Sequence, residues 1–95
     1  MPHSRKNWYK WKYNITLEQI DQKLENQNNC CAICKKEFQD EIKGDKIVKG
    51  FRVDHNHTTG QVRHLLCQKC NALLGMSNEN ISILESTIEY IKEFN

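Results

Sequence analysis

The sequence predicts a small α+β domain in which a β-hairpin runs into a short helix, with further helices on either side. Three observations predict it. At 95 residues the chain has room for one domain with a limited core. Residues 51–54 alternate apolar and polar side chains as a half-buried strand does, Thr58-Thr59-Gly60 supplies a turn, and residues 61–66 resume the pattern with Val62, Leu65 and Leu66. Finally, Cys67-Gln-Lys-Cys70 at the end of that hairpin matches Cys31-Ala-Ile-Cys34 upstream, and a domain this small often needs such a clamp.

Taken in order, residues 1–14 read as a basic, aromatic arm and residues 15–95 as a single domain. The arm interleaves Arg5, Lys6, Lys10 and Lys12 with Trp8, Tyr9, Trp11 and Tyr13. Rings of this kind stack on bases while the cations track phosphates. The rings serve equally to pack on the domain, with Trp11 or Tyr13 turned inward, Arg5 to Lys12 reaching out, and His3 a tail residue. Thr16-Leu-Glu-Gln19 is a capping-box pattern that opens a helix with Leu17, Ile20 and Leu24 on one face. Residues 26–29 end it. Residues 31–36 form a knuckle that points two sulfurs and several backbone N–H groups at one centre. Residues 35–50, rich in Lys, Asp, Glu and Gly, read as a variable loop with a short strand at 46–48. After the hairpin, a short helix spans 71–74 with Gly75 as its stop. Ile81, Leu84, Ile88 and Ile91 then mark an amphipathic C-terminal helix. Its stripe is expected to cover the core, in preference to a dimer contact, because so short a chain needs that face for itself.

No apolar run approaches the ~20 residues of a membrane span, and the N-terminus has no signal-peptide core, so a cytoplasmic protein without membrane partners is expected. The net charge of +2 is unevenly placed. Residues 1–70 carry thirteen Lys and Arg against eight Asp and Glu, whereas residues 71–95 carry one Lys against four Glu. A basic N-terminal part suits a polyanionic partner, although charge alone suits an ordinary solvated surface as well.

Five cysteines in such a chain argue against a disulfide framework. Cys31, Cys34, Cys67 and Cys70 form two pairs of zinc-ligand spacing, and four thiolates make a closed tetrahedral shell with no place for water. The expectation is a structural zinc, ahead of iron or a redox dithiol. A rival set, Cys31 and Cys34 with His55 and His57, fails because His-x-His is too close for finger spacing and orphans Cys67 and Cys70. Cys30 is left as a buried small side chain.

That frees Asp54, His55 and His57. One histidine alone is more often structural, but Asp54 ends a strand, the two imidazoles stand just beyond it, and Asn71 follows a zinc ligand that pins it. A carboxylate and an amide oxygen are hard ligands suited to Mg²⁺ or Mn²⁺. Such an ion stabilises charge on a phosphate and on a leaving oxygen, and a neutral imidazole takes a proton from the attacking water near neutral pH. Phosphodiester hydrolysis is the chemistry these groups suggest.

Val53-Asp-His-Asn-His57, Thr59-Gly-Gln-Val-Arg63 and Leu65-Leu-Cys-Gln-Lys-Cys-Asn71, with Cys31-x-x-Cys34 upstream, resemble the recombination endonuclease VII family of HNH nucleases. The similarity extends from Tyr13-Asn-Ile-Thr16 to the final helix, roughly residues 13–94. It implies a ββα-metal fold bound to DNA, with Asp54 and Asn71 holding the catalytic ion and His55 as general base. It leaves His57 to bind the scissile phosphate, assist His55 or act as the base itself. Arg52 and Arg63, with Arg5, Lys6, Lys10 and Lys12, are the expected nucleic-acid contacts. Three positions depart from the family pattern: His64 replaces a small residue and is expected to face solvent, Leu74 stands where some relatives place an acid, and the long C-terminal extension of junction-resolving members is missing. Nuclease activity rather than junction specificity is therefore expected, in the cytoplasm of the cell or of a host. A monomer would nick DNA and a homodimer could cut both strands. The alternative is a zinc-stabilised nucleic-acid-binding module without catalysis. RING or LIM modules need more cysteines, and a zinc deaminase needs a His-x-Glu that is absent.

Overall fold

The computed structural model describes residues 5–95, and side chains from Trp8 onward. His3 and the side chains of Arg5 and Lys6 therefore lie outside the described residues. The element order is α1 (Arg5–Tyr13), α2 (Leu17–Asn26), β1 (Glu41–Lys43), β2 (Lys46–Val48), β3 (Phe51–His55), β4 (Val62–Cys67), α3 (Gln68–Met76) and α4 (Ile81–Glu93). Among the described residues no helix is long and apolar enough to cross a membrane.

Helix α2 begins as its capping box requires. Thr16 Oγ1 accepts from the Gln19 N–H at 3.1 Å, and Gln19 Oε1 accepts from the Thr16 N–H at 2.9 Å. The helix drives Ile20 into the core, where it is fully buried. Just past its end, the Gln27 side chain behaves as a piece of strand. Its Oε1 accepts from the Leu65 N–H at 3.0 Å, and its Nε2 donates to the carbonyls of Leu65 at 2.9 Å and Cys30 at 2.8 Å. The Ala32 N–H reaches the same Leu65 carbonyl at 3.2 Å. One amide thus satisfies the outer edge of β4 at its most buried residue and ties it to the first cysteine knuckle.

Two antiparallel hairpins make two separate two-stranded sheets. β1 and β2 turn through Gly44-Asp45, with Gly44 at φ 67°, the positive dihedral a tight hairpin turn asks for. The loop predicted for residues 35–50 therefore contains a complete hairpin. Its base is pinned where Asp40 Oδ1 accepts from the Gly50 N–H at 2.8 Å. A Cβ on Gly50 would lie 2.5 Å from the Gln39 backbone, so only glycine fits this approach. In the second hairpin Phe51 pairs with Cys67, Val53 with Leu65 and His55 with Val62, with an irregularity between the last two pairs. Asp54 there faces two residues of β4, Arg63 and His64, the kind of bulge that re-aims a side chain.

The core gathers Tyr9, Ile15, Ile20, Phe38, Phe51, Val53, Leu65 and Leu66, with Cys31 and Cys70 buried among them. One expectation is sharpened and two need correction. In α1 Tyr13 packs half-buried against the core, but Trp11 points to solvent, and the buried ring is Tyr9, stacked on Phe51 with centroids 6.2 Å apart. Helix α3 starts three residues before Asn71 and runs through Gly75 to a cap at Ser77, because the Cys67 side chain caps its first turn. And α4 does not cover the core. It buries no residue: only Leu84 is half-buried, while Ile81, Ile88 and Ile91 are exposed. Asn78 and Glu79, both in the left-handed region, form the turn before α4, and the apolar face of α4 beyond it stays largely exposed.

Replacing Gln27 with Ala removes three hydrogen bonds and leaves the buried Leu65 N–H without its partner, while the Leu65 carbonyl keeps Ala32. It should lower stability by about 2–4 kcal/mol in chemical denaturation of the metal-loaded protein, a far larger loss than Gln22→Ala on the exposed face of α2.

Candidate active site and metal centre

The Sγ atoms of Cys31, Cys34, Cys67 and Cys70 all lie within 4.8 Å of one another. Those of Cys34 and Cys67 are 3.9 Å apart. Four sulfurs at the usual Zn–S distance form a tetrahedron with edges of about 3.8 Å, so the cluster has the size of a four-thiolate site. Backbone N–H groups point at its sulfurs, that of Ile33 at Cys31 (3.4 Å) and that of Cys70 at Cys67 (3.5 Å). The first knuckle closes through a Lys35 N–H to Cys31 carbonyl bond of 3.0 Å, with Lys35 at φ 66°. Cys30 is half-buried rather than buried and stands apart, its thiol donating to the Asn28 carbonyl at 3.2 Å.

Without a metal Cys31 and Cys70 move in opposite directions. Burial opposes ionisation of Cys31, but backbone donors of Cys67, Cys34 and Ile33, with the Cys34 thiol, outweigh it and bring Cys31 down to about 6. Burial, then hydrogen bonding to Cys67, Cys31 and Cys34, pushes Cys70 up to about 12. A closed metal shell requires every one of these groups as thiolate, so loading the site must expel protons.

Cys70 is immobilised in the first turn of α3, and Asn71 is the next residue. Asn71 lines a pocket of about 610 Å³ together with Asp54, His55, His57 and Arg63. The structure therefore brings the four sequence-predicted site residues to one cavity. Asp54, at the bulge, is only 8% exposed. His55 is half-buried, its ring 5.6 Å from that of Tyr13, and His57 is exposed at the mouth with its ring 4.6 Å from His55. Arg63 grips both Asp54 oxygens, Nε to Oδ2 at 2.6 Å and Nη2 to Oδ1 at 3.0 Å. Nη2 also reaches Glu79 Oε1 at 2.6 Å. Hydrogen bonds to Asp54 first and Glu79 second push the Arg63 guanidinium further up, fixing its charge.

Arg63 is thus committed inside the pocket. His64 is exposed, as expected. Lys10 and Lys12 are exposed, with Lys12 Nζ lying 5.2 Å over the Trp8 ring. Arg52 sits on the pocket edge, its guanidinium donating to the Lys49 and Phe51 carbonyls and to Gln68 Oε1. Glu79 is the pocket residue the sequence did not reveal. The family resemblance places an acid of some relatives one helical turn after Asn71, where Leu74 stands. The acid that reaches the pocket comes from the turn beyond the helix, and only the left-handed pair Asn78-Glu79 hints that this turn is sharp enough.

A β-hairpin running into a helix, with an acid and an imidazole at the strand end and a four-cysteine clamp beneath, defines the ββα-metal class. The chain belongs to the recombination endonuclease VII family, whose sequence profile matches residues 6–93. It is 37% identical over 82 residues to the Gene 59 protein of Mycobacterium phage D29, covering 85% of this chain and 46% of that protein. To the Gene 59 protein of Mycobacterium phage L5 it is 39% identical over 80 residues, covering 83% and 44%. The chain thus spans somewhat less than half the length of these curated relatives. Among solved structures it is similar to the ββα-Me type II restriction endonuclease Hpy99I, with a TM-score of 0.54 and 29% identity over 100% of this chain and 51% of that one.

Elemental analysis should find one zinc per chain, lost in Cys34→Ser or Cys67→Ser. Because the Cys70 proton alone must leave, apparent zinc affinity should weaken by at least about a hundredfold from pH 8 to pH 6 in a chelator competition, one factor of ten per pH unit per proton.

Proposed function

We propose that the chain is a metal-dependent HNH endonuclease or nickase that hydrolyses DNA phosphodiester bonds, with a structural zinc on Cys31, Cys34, Cys67 and Cys70. One observation carries the reading: Asp54, His55 and Asn71 share a pocket whose helix is anchored by the cysteine cluster. The phage relatives and the restriction-endonuclease neighbour support it.

The pocket's donor set fits a hard divalent ion. Asp54 supplies a carboxylate and Asn71 an amide oxygen. Each carboxylate oxygen spends one acceptor site on Arg63 and retains another. When bound, Mg²⁺ or Mn²⁺ supplies positive charge for the scissile phosphate and the leaving 3′ oxygen. The protein's own groups do the rest. Arg63 fixes the plane of the Asp54 carboxylate with two parallel bonds. Asn71 inherits its position from Cys70. His55, held between the rings of Tyr13 and His57, accepts the proton of the attacking water on its free ring nitrogen. His57, exposed at the mouth, is placed to meet the incoming strand first. The occupant of the pocket is DNA in a host or cellular cytoplasm, and the protein acts as a monomer or a homodimer.

Incubation with supercoiled plasmid plus Mg²⁺, Mn²⁺ or EDTA tests the proposal. Cleavage with either metal and none with EDTA is expected, with nicked circles from a monomer and linear product from a paired form. No cleavage with any metal would sink it in favour of a binding module. His55→Ala should lose about 10²–10⁴-fold in rate while keeping its zinc and melting temperature. Full activity in that variant would remove His55 from the role of base. Asn71→Ala should need a higher Mg²⁺ concentration for half-maximal cleavage.

A further inference from the structure

Beside the pocket lies a larger groove, of about 1040 Å³, between α1 and the β1–β2 hairpin. We propose that this groove is a track for a single nucleic-acid strand leaving the active site, with phosphates on Lys46, Lys49 and Arg52 and a base against Trp8. It deepens the endonuclease reading by assigning the part of the substrate beyond the scissile bond, and it rests on that reading for the strand's origin.

The lining carries the argument. Its lining combines the rings of Trp8, Tyr9, Tyr13 and Phe51 with the cations Lys46, Lys49 and Arg52, and no carboxylate lines it among the described residues. Rings and cations along one trough are the means by which single strands are held without sequence preference, since every base has a face to stack and every nucleotide a phosphate. The cations are also available. Lys46 and Arg52 have no carboxylate partner among the described residues, and Arg52 is held rigid by bonds to the Lys49 and Phe51 carbonyls and to Gln68. Lys49 pairs with Asp40 at 3.2 Å, where both side chains are partly open to water and the pair is weak. Trp8 keeps 37% of its surface exposed. Continuity supplies the direction. Tyr13, Arg52 and Val53 line both the groove and the Asp54–His55 pocket, so a strand crossing the pocket edge at Arg52 enters the groove directly. An apolar peptide would have to cover three cations, whereas a strand neutralises them.

The test uses the zinc-loaded full chain with no added Mg²⁺ or Mn²⁺ and no chelator, so that binding is read without cleavage. Anisotropy of a fluorescein-labelled single-stranded oligothymidylate, 12 nucleotides long by design (a length of about 12, within single-strand site sizes), is followed across a salt series. Lys46→Glu/Lys49→Glu should weaken binding at least about tenfold at low salt and reduce the slope of log K against log salt by about 1.4, two phosphates at ~0.7 each. Trp8→Leu should weaken binding about five- to a hundredfold with the slope unchanged, and circular dichroism of each variant checks that α1 remains folded. Binding of the double variant within twofold of the parent at the same slope overturns the track. So does tighter binding of a duplex of equal length. Plasmid cleavage by the parent is scored separately. Cleavage with no effect of the lysine pair on binding defeats the track alone, and lysine-dependent binding without cleavage defeats the endonuclease reading alone.

Discussion

The four-sulfur cluster is the constraint on which the rest of this molecule depends. Among the described residues ten apolar ones are buried, and two of those ten, Cys31 and Cys70, belong to the cluster itself. A structural zinc contributes about 10–16 kcal/mol in finger peptides at neutral pH, as much as the whole folding free energy of a typical domain, about 5–15 kcal/mol. In a fold with so little core, an ion held by these four sulfurs would make metal binding and folding one equilibrium. Its geometric reach is equally broad. Cys31 and Cys34 follow α2, Cys67 closes β4, and Cys70 opens α3, so one centre joins the scaffold helix, the hairpin and the helix that carries Asn71.

Around that centre the polar groups are paired with little slack. Gln27 fills the backbone of Leu65 from one side while Ala32 fills it from another. Asp54, nearly buried, has both oxygens on Arg63, which itself is shared with Glu79. A buried carboxylate stripped of its partner costs several kcal/mol, so Arg63 maintains the fold as well as the orientation of the acid. The two carboxylates and one guanidinium leave the inner wall of the pocket with a single net negative charge, while cations stand along its outer approach at Arg52, Lys46 and Lys49. On the proposed reading, a polyanion would meet positive charge first and the acid only at the reacting phosphate.

Much of this was legible in the sequence because the strongest signals were local. The capping box at Thr16, the two cysteine spacings, the turn at Gly60 and the alternation of the two strands it joins each involve residues close in the chain. What escaped was set by distance or by absence. Gln27 lies at the end of a polar run and acts on a residue 38 positions away. Glu79 enters the pocket because two left-handed residues bend the chain, which side-chain chemistry does not announce. Tyr9, not Trp11, faces inward because the helical phase of α1 decides which ring meets Phe51. The stripe on α4 was read correctly as amphipathic, but amphipathicity states that a face is apolar, not what lies opposite it.

The hairpin of β1 and β2 sits inside the loop that the two cysteine pairs close, yet its base is locked independently by Gly50 against Gln39 and by Asp40. The entropy of closing a loop rises only with the logarithm of its length, about 0.6 kcal/mol for each doubling. Residues beyond that lock can consequently be lengthened, shortened or exchanged at small thermodynamic cost and without moving β3. The length of the wall that this hairpin gives the groove is then a separately adjustable dimension of the scaffold, one that could be redesigned by hairpin grafting while the residues at the end of β3 stay as they are.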